Sequence, residues 1–267
     1  MSAGLCLADA MGTLKFKLTL SFDGTAYHGW QSQKSGKGVQ DQVEAALKQL
    51  FGGNPRVQGS SRTDTGVHAL GMVAHFEVPR SDFNMPGRRL APAINACLPE
   101  DIRVRSATRV ATGFHARFDA TGKQYRYQVW NHPVMNPLLR NQAWHVPQAL
   151  DPTAMRAAAA CFIGSHDFRA FTSNRGGTLE DSVREITRCE IRRRGEKLTF
   201  IIEGGGFLYK MCRCIVGTLV QTGSGRFTAM DVERMLAEKD RRGAGMNAPA
   251  RGLVLWKVSY PSKVKSG

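Results

Sequence analysis

Between Lys15 and Phe22 polar and apolar residues alternate, which predicts a strand with one buried face, closed by Asp23-Gly24. From Val39 the period lengthens. Val39, Val43, Ala46, Leu47, Leu50 and Phe51 fall on one helical stripe, and Gly52-Gly53 stops it. Alternation returns over Leu70–Val78, with Leu70, Met72, Ala74, Phe76 and Val78 on one face. A helix around Arg89–Cys97 and a strand near Ile102–Ala107 complete the first half.

Lys123–Trp130 opens the second half as a strand, and the stretch after it, with Pro133, Pro137 and Pro147, is too proline-punctuated for a helix. Asp151-Pro152 supplies an N-cap and a first-turn residue for a helix through Phe162, ended by Gly164. Strands over about 182–192 and 197–203 flank a turn at Gly195. A helix is expected over Phe207–Gln221; Thr228, with Asp231 three residues on, opens another, and Leu253–Tyr260 closes as a strand. This half repeats the order of the first with insertions. The expectation is an α+β protein of two α/β lobes, each a mainly antiparallel sheet backed by helices, over residues 13–112 and 113–267. Residues 1–12 are expected as a flexible N-terminus.

Charge adds a partner class. Thirty-seven Lys and Arg against 22 Asp and Glu leave a formal net charge of +15 in 267 residues, and such an excess suits a polyanion. The six cysteines, at 6, 97, 161, 189, 212 and 214, contain no C-x-x-C pair, so they read as thiols in a reducing compartment. The first twelve residues lack the basic start of a signal peptide, and no apolar run approaches a membrane span. A cytoplasmic protein that does not meet the membrane is expected.

Candidate chemistry is narrowed by what is missing. There is no phosphate loop of the G-x-x-x-x-G-K-[ST] type, no H-E-x-x-H, no dinucleotide G-x-G-x-x-G after a strand and no zinc deaminase signature. The expectation is chemistry without metal or cofactor. The informative segment is Gly59-Ser60-Ser61-Arg62-Thr63-Asp64-Thr65-Gly66-Val67-His68-Ala69, polar and glycine-bounded between strand-like runs. Arg62 and Asp64, two apart, point to one side if the segment is extended. An arginine there holds a carboxylate ionised and can contact a phosphate, which suits covalent or general-base chemistry on a nucleic acid. A surface turn with a local ion pair fits the same residues.

That segment closely resembles the active-site motif of the tRNA pseudouridine synthase A family. F-D-G-T-A-Y-H-G-W-Q-x-Q (22–33) is similar to the family's N-terminal signature, and F-H-A-R-F-D-A-T-G-K-Q-Y-R-Y (114–127) with N-H-P (131–133) to its central motif. G-S-H-D-F-R-A-F (164–171), G-G-G-F-L-Y-K-M-C-R-C-I-V-G-T-L (204–219) and A-P-A-R-G-L-V-L (248–255) complete an ordered set over nearly the whole chain. The resemblance implies the pseudouridine synthase fold, with a catalytic cleft between the lobes. It implies an isomerase that converts uridine to pseudouridine in the anticodon stem-loop of tRNA (roughly positions 38–40) without a cofactor, working as a homodimer.

By that resemblance Asp64 is the catalytic aspartate and Arg62 the partner that displaces the target base. Tyr125 is the tyrosine set against the flipped uracil, and Arg213 the second-lobe arginine that pairs with the aspartate. Lys210 and His68 join Tyr125 and Arg62 as substrate-binding candidates. The helical stripe Leu208, Met211, Cys212, Ile215, Val216 and Leu219 leaves Tyr209, Lys210 and Arg213 together on the opposite face. Each residue has a plainer role open to it. Tyr125 suits cross-strand packing, Arg213 a solvated helix face, and His28, His68 and His115 structural hydrogen bonds. Arg192-Arg193-Arg194 fits either a solvated turn or a phosphate-contacting rim. Where the family carries M-V-R-N this chain has Met211-Cys212-Arg213-Cys214, which replaces an amide by a thiol. Rival readings are a synthase of the same fold on another RNA, a non-catalytic RNA-binding module, and a basic ribosome-associated structural protein.

Overall fold

The computed structural model describes residues 12–173 and 181–261. The expected flexible N-terminus, apart from Gly12, lies outside the described residues. The chain forms two compact units, one running to Thr121 and resumed from Val258, the other Gly122–Lys257.

In the first unit β1 (Thr13–Phe22) lies between β3 (His68–Pro79) and β4 (Ile102–Val110), antiparallel to both. The two-residue β2 (Gln58–Gly59), which no sequence pattern announces, pairs antiparallel with β3. Helix α1 (Val39–Phe51) buries the stripe Val39, Val43, Ala46 and Leu47, as the spacing predicts. Helix α2 (Gly87–Cys97) buries Leu90 and Ile94 and lies against α1 and β4. The register that sets Phe16 opposite Phe76 stacks their rings at 5.6 Å, and Phe51 of α1 reaches Phe76 at 6.1 Å.

In the second unit the strands run in the order β10 (Leu253–Ser259), β5 (Gly122–Trp130), β9 (Lys197–Gly204), β8 (Val183–Arg194), β7 (Gly164–Asp167). The pairs β5–β9, β9–β8 and β8–β7 are antiparallel, and the short β6 (Trp144–His145) pairs parallel with β5. Three helices pack together on this unit: α3 (Pro152–Ala160), α4 (Met211–Gly223) and α5 (Ala229–Glu238). Asp151 caps α3 by accepting from the amides of Thr153 and Ala154, and Thr228 with Asp231 closes a capping box on α5, both as expected. No helix among the described residues is long and apolar enough to cross a membrane.

Two expectations need correction. Alternation in β3 predicts one buried face, yet Ala69, Val73 and His75 on its other face are buried too. At His75 the 114–116 segment closes over that face. His75 Nδ1 accepts from the Ala116 amide at 3.1 Å, with the rings of Phe114 and His115 at 6.0 and 4.8 Å. The second correction concerns α4, which begins at Met211 rather than Phe207. Its N-cap Lys210 takes a left-handed φ of 59°, and the preceding Gly204-Gly205-Gly206 favours loop over helix. Tyr209 and Lys210 therefore stand in the loop before α4, not on a helix face with Arg213. The helix is buried nearly all round, with only Arg213 and Gln221 partly exposed.

Burial of His75 makes a prediction. Burial, aided by the charges of His115 and Lys15, lowers its pKa from 6.5 to about 4. The folded state thus refuses a proton that the unfolded chain accepts, so stability is full above pH 6.5 and falls as pH drops towards 4. The loss is at most about 3 kcal/mol. In His75→Asn the amide oxygen keeps the bond from Ala116 without titrating. Denaturant titrations across that window should show a shallower decline for the variant than for the wild type. Parallel curves would mean that His75 titrates normally.

Candidate active site

Asp64 stands half-buried in the loop that joins β2 to β3, with Arg62 exposed beside it and Thr63 between them buried. The loop ends in a tight turn in which the Val67 amide donates to the Asp64 carbonyl at 3.1 Å. What fixes it is the segment that follows β1. The Trp30 amide donates to the Thr63 carbonyl at 3.2 Å, and the Gly66 amide to the Tyr27 carbonyl at 3.3 Å. Two glycines allow this approach. A Cβ on Gly29, whose φ is +87°, would stand 2.3 Å from the Thr63 carbonyl oxygen and 3.0 Å from the Asp64 carbonyl carbon. One on Gly24 would stand 2.1 Å from the Val67 oxygen. Two of the sequence segments singled out above are thus packed backbone to backbone, one as the bed of the other.

His68, at the start of β3, points inward. Its Nδ1 lies 3.0 Å from the Gly24 amide and 3.1 Å from Asp23 Oδ1. One nitrogen cannot accept from the first and donate to the second, so the two contacts belong to different protonation forms. Burial pushes the Asp23 carboxyl up, but hydrogen bonds from the Thr25 hydroxyl and amide, with His68 nearby, leave it below the usual carboxylate range. His68 therefore ties the Gly24 turn to β3. His115 accepts from the Arg117 and Phe118 amides, and His28 lies 3.4 Å from the Ser35 hydroxyl.

The second unit carries Tyr125, Lys210 and Arg213. Tyr125 lies in β5 opposite Ile202, buried, with the Phe207 ring edge-to-face at 5.2 Å. Sequence pattern alone does not single out Phe207, because it reads as the start of a helix; the glycine run before it is the signal that points to a loop. Lys210 holds the left-handed turn into α4, its ammonium 5.0 Å from the Tyr209 ring. Arg213 Nε donates to the Ala248 carbonyl at 2.7 Å, and the Ala248 amide donates back to the Arg213 carbonyl at 3.0 Å. Beside it Cys214 is buried, its thiol 3.6 Å from the Gly245 carbonyl and pushed up by burial to about 11. The thiol thus serves as a weak donor and stays protonated. Tyr127, from β5, donates to the Pro249 carbonyl at 2.7 Å. The 245–249 segment is therefore held by α4 and β5 together, which joins the last two sequence motifs with the strand of the central one.

The arginine triplet lies at the β8–β9 hairpin, exposed; Arg192 pairs with Glu190, and Arg193 Nε donates to the Gly195 carbonyl. Among the described residues no three His, Cys, Asp or Glu side chains form a group able to hold a metal ion.

With this geometry in view, the family described as tRNA pseudouridine synthase matches residues 19–119 and 158–261. The tRNA pseudouridine synthase A of Acetivibrio thermocellus is 45% identical over 244 residues, covering 91% of this chain and 98% of the relative. That of Ruminiclostridium cellulolyticum is 43% identical over 247 residues, 92% and 99%. That of a Geobacter species is 44% identical over 246 residues, 92% and 98%.

The Arg213 clamp has a measurable consequence. Arg213→Ala removes a charge-assisted hydrogen bond to a backbone carbonyl and should cost about 2 kcal/mol. The thermal midpoint should drop by roughly 4–8 °C at this chain length. Arg213→Lys, which keeps the charge but not the Nε donor, should recover less than half of the drop. A melt unchanged in both variants would show that the 248 peptide does not depend on this side chain.

Proposed function

This chain belongs to the tRNA pseudouridine synthase family, and we propose from that membership that it isomerises uridine in tRNA with Asp64 as the reacting carboxylate. The observation that carries the reading is the family match over residues 19–119 and 158–261, together with the intact G-S-S-R-T-D-T-G segment that bears Asp64. In the reaction the N1–C1′ bond breaks, the uracil turns and a C5–C1′ bond forms. The C5 proton goes to solvent and N1 regains one. Nothing is oxidised or hydrolysed, so the chemistry needs a placed carboxylate more than a redox group.

A carboxylate can serve in two ways, by adding to the uracil ring or by taking a sugar proton to leave a glycal-like intermediate. Both require the base to leave the stack, at a cost of a few kcal/mol. The exposed Arg62, two residues from Asp64, is suited to occupying the vacated position. Tyr125, with Phe207 against its edge, is suited to holding the detached ring. Arg213 is the second unit's cation suited to the reaction, Lys210 is suited to a phosphate contact, and His68 to anchoring the Asp64 loop. The substrate region is the anticodon stem-loop, and the working form a cytoplasmic homodimer. Light scattering on the purified protein tests the oligomer.

Asp64 is the only acidic residue between Gly59 and Leu70, so no neighbour in its loop can replace it. Asp64→Asn keeps the shape and removes both nucleophile and base. Single-turnover tritium release from tRNA labelled at uridine C5 should fall by several powers of ten. Affinity for the same tRNA, measured by filter binding, should stay within a few-fold because it rests mainly on phosphate contacts. Retained release would remove Asp64 from the chemistry. A second outcome follows from the +15 charge: wild-type binding should weaken steeply with salt, with a log–log slope of roughly −0.9 per phosphate contacted. A flat slope would place the basic surface away from the RNA.

A further inference from the structure

Residues 114–119 of the central motif form a turn on the first unit that leaves Phe118 75% exposed. A large aromatic ring so exposed is ordinarily mobile, but this turn is tied down at every step. His115 Nδ1 accepts from the Arg117 and Phe118 amides at 3.1 and 3.2 Å. The Asp119 carboxylate accepts from the His115 amide at 2.9 Å, and the Asp119 amide donates to the His115 carbonyl at 3.1 Å. The His115 imidazole lies against the Phe118 ring, with centroids 4.2 Å apart and planes 30° from parallel, and its Nε2 is 2.8 Å from Gln58 Oε1. The Arg117 guanidinium sits 5.7 Å from the Phe118 centroid.

The Phe118 ring is therefore supported by His115, presented to solvent, and accompanied by a positive charge 5.7 Å from its centroid. That combination suits a flat π system carrying negative charge, which is what an unpaired nucleotide offers. The support is also tied to the catalytic segment. Gln58 lies in β2, six residues before Asp64, and six residues span at most about 20 Å when extended. That is the length of a few nucleotides.

We propose that Phe118 is a stacking platform for an unpaired base of the tRNA, close to the uridine being isomerised, with Arg117 contacting the adjoining phosphate. The proposal rests on the tRNA reading above. A second copy of the chain is the competing occupant of an exposed aromatic, but it shares the +15 charge, whereas RNA complements both the charge and the ring.

The test measures tRNA affinity at fixed salt, with the salt slope and the solution mass, for wild type, Phe118→Ala, Phe118→Leu, Phe118→Trp and Arg117→Ala. The exposure of Phe118 means that all of these variants should fold. Loss of one base stack predicts binding roughly 5- to 100-fold weaker for Phe118→Ala and Phe118→Leu, at an unchanged salt slope. Phe118→Trp should bind at least as well as wild type, and Arg117→Ala should reduce the slope by about one. Wild-type affinity in Phe118→Ala, in a protein that still releases tritium, overturns the platform and leaves the isomerase reading intact. Wild-type affinity in Phe118→Leu alone shows an apolar contact without stacking and also overturns it. A loss of affinity accompanied by a fall in solution mass assigns the ring to a contact between copies, again against the proposal. A wild-type protein that neither binds tRNA nor releases tritium removes the isomerase reading itself, and the platform with it.

Discussion

The close approach of two backbones, residues 24–30 against 63–67, is the constraint on which the placement of the Asp64 loop depends. At its narrowest point there is no space for a Cβ: one on Gly29 would come within 2.3 Å of the Thr63 carbonyl, one on Gly24 within 2.1 Å of the Val67 carbonyl. The same short segment also starts α1, because the Val39 and Gln40 amides donate to the Gly29 and Trp30 carbonyls. It also reaches the entry to β4, where Tyr27 donates to the Asp101 carboxylate at 2.5 Å and the Asp23 amide to the Asp101 carbonyl at 2.9 Å. One strand end thus anchors a helix start, a second strand's entry and the Asp64 loop. A carboxylate on a polar loop would ordinarily move with it, and here the loop's freedom is removed by elements that form the unit's core.

The second unit solves a comparable problem by other means. The 245–249 segment has no regular structure of its own, and it is held by side chains and backbone from α4 and β5. Arg213 grips Ala248 from both its Nε and its carbonyl, Thr218 accepts from the Gly245 amide, and Tyr127 donates to Pro249. Because Arg213 is a structural clamp as well as a proposed participant in the reaction, its alanine variant alone does not tell an effect on stability from one on turnover. The two effects have to be separated by the lysine variant. Cys214 adds to this arrangement, with its thiol directed to the Gly245 carbonyl.

Periodicity made most of the elements legible. The α1 stripe, the Asp151 and Thr228 caps and the alternation of β1 and β5 each depend on local residues, and each is where local physics puts it. The failures share a cause. The pattern predicts the start of α4 at Phe207, since Leu208 and Met211 lie on the same helical stripe. A stripe says nothing about a left-handed turn at Lys210, and the helix proved buried on nearly all sides rather than amphipathic. The burial of His75 on the second face of β3 involves residues 114–116, about forty positions later, which no local pattern can reveal. The Asp64 loop was legible as a motif but not as a geometry. Nothing in the order of residues 59–69 says that Gly29 must lie under them. The family match names the activity, and the packing shows that the segment around Gly24 and Gly29 lies against the Asp64 loop.

The central claim is that catalysis depends on where this packing holds Asp64, so the most direct measurement changes the position and no reacting group. Gly29→Ala adds one methyl group at a φ of +87°, against the Thr63 carbonyl, and must push the loop away. Misplacement by about an ångström costs on the order of a hundredfold in rate. Tritium release from C5-labelled tRNA by Gly29→Ala should therefore fall by about that factor or more, while tRNA affinity stays within a few-fold of wild type. Release at the wild-type rate from a protein carrying that methyl group would contradict the claim.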